Sequence, residues 1–228
     1  MHSTPIRVAL RISCSTIFLT LALFSSAAAQ NPLPKAKPPE TSPTLPATAP
    51  LTRESLAGTY DGGQMEVAHN NIYGFGEGIT SGEGYFHDNY VHSLQSYIPL
   101  GSHSYQHTNA LIDSGGSGIR IVHNTFLNWM PPRAGGSSSL MLASDSAPVT
   151  NATVEDNWLA GGAYCLYPGG VTGSKNIVIK GNYFSTEYFP GCGFYGLNAS
   201  THWHYGNGDV WSKNVWANGR NAGHPVNP

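Results

Sequence analysis

Val67-Ala-His-Asn70-Asn-Ile72, Phe86-His-Asp-Asn89-Tyr-Val91, Ile121-Val-His-Asn124-Thr-Phe126, Val154-Glu-Asp-Asn157-Trp-Leu159, Ile179-Lys-Gly-Asn182-Tyr-Phe184 and Trp211-Ser-Lys-Asn214-Val-Trp216 are copies of one phrase. An apolar residue, two spacers, an asparagine, one spacer and an apolar residue recur in each. The asparagines lie 19, 35, 33, 25 and 32 residues apart. A period of this size marks a solenoid, whose repeats bury their apolar faces against one another.

Around each asparagine the apolar residues alternate. Ile119 and Ile121 are separated by Arg120, and Ile177 and Ile179 by Val178. That is the strand period, and no later segment holds a helical one for three turns. A second, looser strand set follows: Gly78-Ile79-Thr80, Ala110-Leu111-Ile112, Ser139-Leu-Met-Leu142, Ala163-Tyr-Cys-Leu166 and Gly193-Phe-Tyr195. The pattern predicts an all-β chain wound as a parallel β-helix of about six to seven rungs, with short turns and one longer insertion. An antiparallel sandwich with coincidental asparagines is the alternative. Asparagine tolerates left-handed backbone angles, and stacked amides donate to one neighbour and accept from the other.

Equal offsets from the asparagine should form columns along the solenoid. The column before it reads His69, Asp88, His123, Asp156, Gly181, Lys213, a His/Asp alternation expected to pair ionically on the surface. One place earlier, Glu155 faces Lys180. The column after it reads Asn71, Tyr90, Thr125, Trp158, Tyr183, Val215. Trp158 and Tyr183 then become neighbouring aromatics, able to stack on sugar rings or simply to stabilise the sheet.

The flanks set the context. Residues 1–29 read as a secretory signal: Arg7 and Arg11, the apolar run Ile17 to Phe24, and Ala27-Ala-Ala29. Residues 30–55 form a Pro-rich linker, and the β-helix domain is expected over 56–228. No later segment is long and apolar enough to span a bilayer. Without Arg7 and Arg11, nine basic residues face 13 acidic ones, with no basic run. Nucleic acid is therefore not expected as a partner. Export permits a disulfide between Cys165 and Cys192, about one repeat apart; two inert thiols are the alternative. Asn151-Ala-Thr153 and Asn198-Ala-Ser200 are glycosylation sequons in a eukaryotic host.

Polar residues concentrate between Ser96 and Ile121. Glycoside hydrolysis needs two placed carboxylates, and Asp113 and Asp145 follow second-set strands on adjacent rungs. His107 could serve as base or orienting group. A lyase would instead use His103, His107, Arg120 or Arg133. His103, Asn109, Arg133, Trp158, Tyr167 and Tyr183 complete the expected substrate contacts. His103/His107 and His202/His204 lack a third ligand at zinc spacing, and no aspartate cluster of the calcium kind occurs. No cofactor or metal is expected, and the sequence is silent on oligomeric state.

The stretch from Glu66 onward resembles secreted right-handed parallel β-helix proteins of the pectate-lyase-like superfamily. It looks most like a bacterial group without a defined activity. The resemblance rests on Phe86-His-Asp-Asn-Tyr-Val-His-Ser-Leu94, Ile119-Arg-Ile-Val-His-Asn-Thr-Phe126, Ser139-Leu-Met-Leu-Ala-Ser-Asp145, Asn157-Trp-Leu-Ala-Gly-Gly162, Asn214-Val-Trp-Ala-Asn-Gly219 and Pro225-Val226. It implies right-handed winding and an extracellular polysaccharide as partner. It does not decide between a hydrolase or lyase and a non-catalytic surface module. Group members commonly carry further rungs before the first one here, and a His-Thr-Asp-Gly phrase where this chain has His107-Thr-Asn109-Ala110. The resemblance thus implies an acidic residue replaced by an amide. The open first rung is expected to be covered by the linker, a neighbouring chain or residues 53–64.

Overall fold

The structure is a computed structural model, and it describes residues 65–169, 173–199, 203 and 206–228. The signal, the linker, residues 56–64 and the His202/His204 pair lie outside the described residues. What is described is a parallel β-helix. A first sheet stacks Glu66–Ala68, Tyr85–His87, Arg120–Val122, Thr153–Glu155, Val178–Lys180 and Val210–Ser212 in that order. A second stacks Asn71–Tyr73, Tyr90–His92, Thr125–Asn128, Trp158–Gly161, Tyr183–Phe184 and Val215–Trp216. A third holds Glu77–Ser81, Thr108–Asp113, Gly136–Leu142, Tyr164–Pro168 and Gly196–Asn198. Every pairing within these sheets is parallel. Six rungs pass through the first two sheets and five through the third.

The register is the one the asparagine offsets give. Trp158 stands on Thr125 and under Tyr183, and Glu155 stands beside Lys180. The inward residues of the first sheet are Val67, Phe86, Ile121, Val154, Ile179 and Trp211. Those of the second are Ile72, Val91, Phe126, Leu159, Phe184 and Trp216. The core is thus the two apolar positions of the repeated phrase, closed on the third side by Leu111, Leu140 and Leu166.

The turn between the first two sheets corrects one expectation. The left-handed residue is not the asparagine but the one before it: His69, Asp88, His123, Asp156 and Lys213, with φ between 54° and 58°, and Gly181 at 67°. That single left-handed residue swings the chain round the corner. It aims the asparagine side chain along the solenoid axis, where the amide makes its bonds. Asn70, Asn89, Asn124, Asn157 and Asn182 each donate from Nδ2 to Oδ1 of the next rung's asparagine at 2.9–3.0 Å. The same Oδ1 accepts the backbone N–H of the asparagine below it. Spare Nδ2 hydrogens go to backbone carbonyls, as from Asn124 to Phe86 and Val122. A buried amide with every group occupied stabilises; one left unpaired costs about 1–3 kcal/mol.

Gly193-Phe194-Tyr195, expected as a strand, is not one. The strand begins at Gly196, three residues later. Gly191, Cys192 (φ 69°) and Gly193 form a tight turn instead, pinned by a disulfide from Cys192 to Cys165. The Cα atoms are 5.5 Å apart, and both cysteines are fully buried. The bond ties rung four to rung five.

At its C-terminal end the solenoid is capped by its own tail. Trp211 Nε1–H donates to the carbonyl of Val226, the Val226 N–H donates to the carbonyl of Asn214, and Val226 is buried on the last rung. The first rung differs. Glu66–Ala68, Asn71–Tyr73 and Glu77–Ser81 are the outermost strands of their sheets among the described residues, and Met65, Tyr73 and Phe75 are exposed there.

Candidate functional site

Asp113 and Asp145 end up on opposite sides of the wall. Asp113 closes the strand Thr108–Asp113 with the same strand parity as Leu111, so its side chain turns inward and is fully buried. Its Oδ1 accepts the Gly115 N–H at 2.9 Å, and Oδ2 has no hydrogen-bond partner. Burial pushes its pKa up to about 6, against the lowering pull of that bond. Asp145 follows Ser144, whose φ of 59° redirects the chain, and is exposed. The backbones of the two segments do run side by side, Ser146 N–H donating to the Ser114 carbonyl. The side chains do not face a common groove.

His103 and His107 lie exposed in the insertion between the second and third sheets. The insertion is braced by the Gln106 N–H to Tyr97 carbonyl bond and the Gln95 N–H to Phe75 carbonyl bond. Asn109 is buried, donating to both Glu77 carboxylate oxygens at 3.1–3.2 Å and accepting from Ser138 Oγ at 2.5 Å. Its amide is spent on the wall. Burial raises the Glu77 pKa, partly offset by the Asn109 bond. Arg133 is exposed on a short 3-10 turn, Pro132–Ala134.

Trp158 and Tyr183 lie as adjacent, nearly parallel rings, 6.4 Å between centroids at 16°. Both are half-buried, and Trp158 Nε1–H is buried with no hydrogen-bond partner.

Tyr167 belongs to a more open aromatic group. It meets Tyr164 edge-on at 5.6 Å, Tyr164 meets Tyr195 at 5.7 Å, and Tyr195 meets Phe194 at 5.1 Å. Phe194 rests on the buried Phe189 at 5.6 Å. Phe194 and Tyr195 are 52% and 63% exposed, on the turn that the disulfide holds. Burial, then the neighbouring Tyr164, raises the Tyr167 pKa, and a hydrogen bond with Ser137 lowers it. Four rings and three hydroxyls thus share one fixed surface beside the third sheet. Reading Gly193-Phe194-Tyr195 as strand hid it; the Gly-Cys-Gly run was the available signal for a turn.

A second cluster joins the first three rungs. His87 Nε2 lies 2.8 Å from Glu66 Oε1, and His87 Nδ1 lies 2.7 Å from Asp88 Oδ2. Asp88 Oδ1 is bonded by His123 Nδ1. His69 meets the His87 ring edge-on at 5.6 Å. The expected alternation of His and Asp is therefore present at Asp88 and His123. His87, one column back, was missed and is the residue that links them to Glu66. Burial pushes the Asp88 carboxyl up, but the hydrogen bonds and charges of His87 and His123 outweigh it and hold it below the usual carboxylate value.

No family model, no curated protein and no solved structure matches this chain. Among the described residues, no helix is long and apolar enough to cross a membrane.

Proposed function

We propose that this chain is a glycan-binding module that acts outside the cell, taking sugar rings on the surface of Tyr164, Tyr167, Phe194 and Tyr195. The observation that carries it is that exposed aromatic surface. Aromatic side chains with polar tips supply contact area at low entropic cost, and contiguous exposed apolar surface on a polar molecule marks a contact site. A buried disulfide holds the turn rigid, which lowers the ordering cost of binding. The resemblance to pectate-lyase-like β-helix proteins and the signal-like leader favour a polysaccharide met after export. The burial of Asp113 away from Asp145 weighs against a hydrolytic pair and for binding without turnover.

The test is affinity electrophoresis of the chain in gels cast with uronate and neutral polysaccharides. Retardation by at least one polysaccharide is expected, weakened at least tenfold in Phe194→Ala/Tyr195→Ala, with no reducing ends or unsaturated products released. Retention that survives in that variant, or turnover abolished by Asp145→Ala, would overturn the reading.

A further inference from the structure

We propose that His69, His87 and Asp88 form a binding site for one divalent transition ion, zinc or copper(II), on the outer edge of the first two rungs. One ligand atom from each of the three lies within 4.8 Å of the other two. Two imidazoles and a carboxylate suit zinc and copper, whereas calcium and magnesium prefer all-oxygen sets.

Two further contacts distinguish this cluster from a chance grouping. A metal-bound histidine commonly gives its other ring N–H to a carboxylate, which fixes tautomer and ring orientation. His87 does this: Nε2 is engaged by Glu66, and Nδ1 faces Asp88. Asp88 is oriented in turn by His123 on its other oxygen. Tyr85 lies against the His87 ring at 4.2 Å, and Arg120 lies over Tyr85, so the imidazole is packed in place. His69 and Asp88 owe their positions to the left-handed turn, with φ of 58° and 54°. Donors around a tetrahedral ion with bonds of about 2.1 Å sit roughly 3.4 Å apart. Exposed His69 closes that gap by rotation. The ion takes the place of the hydrogen between His87 Nδ1 and Asp88 Oδ2, which leaves to solvent, and a water fills the ion's remaining position. This site lies apart from the aromatic surface and does not rest on the glycan-binding reading.

The experiment is isothermal titration of the full chain with zinc chloride and, separately, copper(II) chloride. One ion per chain is expected, with calcium failing to compete. His69→Asn keeps the left-handed backbone, since asparagine accepts it, and should weaken binding at least tenfold. Glu66→Gln, which alters the carboxylate bonded to His87 Nε2, should weaken it by roughly tenfold. The pairs His103→Asn/His107→Asn and His202→Asn/His204→Asn should bind like the unaltered chain. Far-UV circular dichroism of the metal-free variants checks their folding, and ring NMR signals of His69 and His87 that shift with zinc give a second readout. Absence of binding to either ion, undiminished binding in a folded His69→Asn, or loss through either control pair would overturn the proposal.

Discussion

Individual side chains split into those that hold the rung and those that merely occupy it. Asn124 is fully buried and holds: its amide meets Asn89, Asn157 and the Phe86 carbonyl. Asn124→Ala would strand several of these partners at about 1–3 kcal/mol each. A loss of at least about 3 kcal/mol is expected, read as a lower urea midpoint. Lys213 occupies: it sits in the left-handed position of the last rung at φ 56°. A non-glycine residue there costs roughly 1–2 kcal/mol, partly offset for glycine by chain entropy. Lys213→Gly should therefore stabilise by about 0.5–1 kcal/mol, while His123→Gly, which loses the Asp88 bond, should not. Asp113 carries a pH signature. Its folded pKa of about 6 lies above the ordinary aspartate value of 3.8, so the folded state holds its proton longer. The buried carboxyl is tolerated below about pH 4, and stability falls as pH rises through 6, by roughly 2–3 kcal/mol in all. Asp113→Asn should flatten that decline in urea midpoints taken from pH 4 to 8.

At the level of strands and turns, much was readable because the strand period is two and the rung phrase is rigid. The first two sheets and their register follow from the asparagine offsets, since shifting a strand by one residue would turn its apolar side outward. The third sheet was readable only up to Tyr164–Pro168. Beyond it, Gly191 to Gly193 convert an apparent strand into a turn, and no apolar alternation records that. The disulfide there closes a loop of 27 residues. On the chain-entropy account this is worth ~3.5 kcal/mol. The double variant Cys165→Ala/Cys192→Ala should lose a large part of that in equilibrium denaturation and should also weaken glycan retention by loosening Phe194 and Tyr195. The C-terminal tail is a separable device. Ending the chain after Gly223 removes Val226 from the last rung, and hydrogen exchange should then speed up in Val210–Ser212 and Val215–Trp216 before it changes in Arg120–Val122.

For the molecule as a whole, the repeat defines a scaffold and leaves function to what interrupts it. Both surfaces proposed for binding lie where the pattern bends: one on the Gly-Cys-Gly turn, the other in the corner before the asparagines. The turn could not be read by counting along the chain; of the corner, counting gave His69, Asp88 and His123 but not His87, which links them to Glu66. The aromatic surface needs the turn after Cys192 to fold back, Tyr195 N–H donating to the Ala163 carbonyl beside Tyr164, and the ion site needs side chains from two rungs to converge, with His123 of a third behind Asp88. Asp113 and Asp145 show the same limit from the other direction. Their backbones run side by side on adjacent rungs although their offsets from Leu111 and Leu140 differ, but strand parity sends one side chain inward and a left-handed serine leaves the other outside.

The asparagine ladder has a further consequence. All five amide links point the same way, hydrogen toward the last rung and oxygen toward the first. Backbone dipoles in strands largely alternate, but these side-chain dipoles add head to tail and polarise one another. The column is therefore a short electrical filament with its negative pole at rung one, beside His69 and Asp88. A cation arriving at that corner meets a field assembled from asparagines along the whole length of the solenoid.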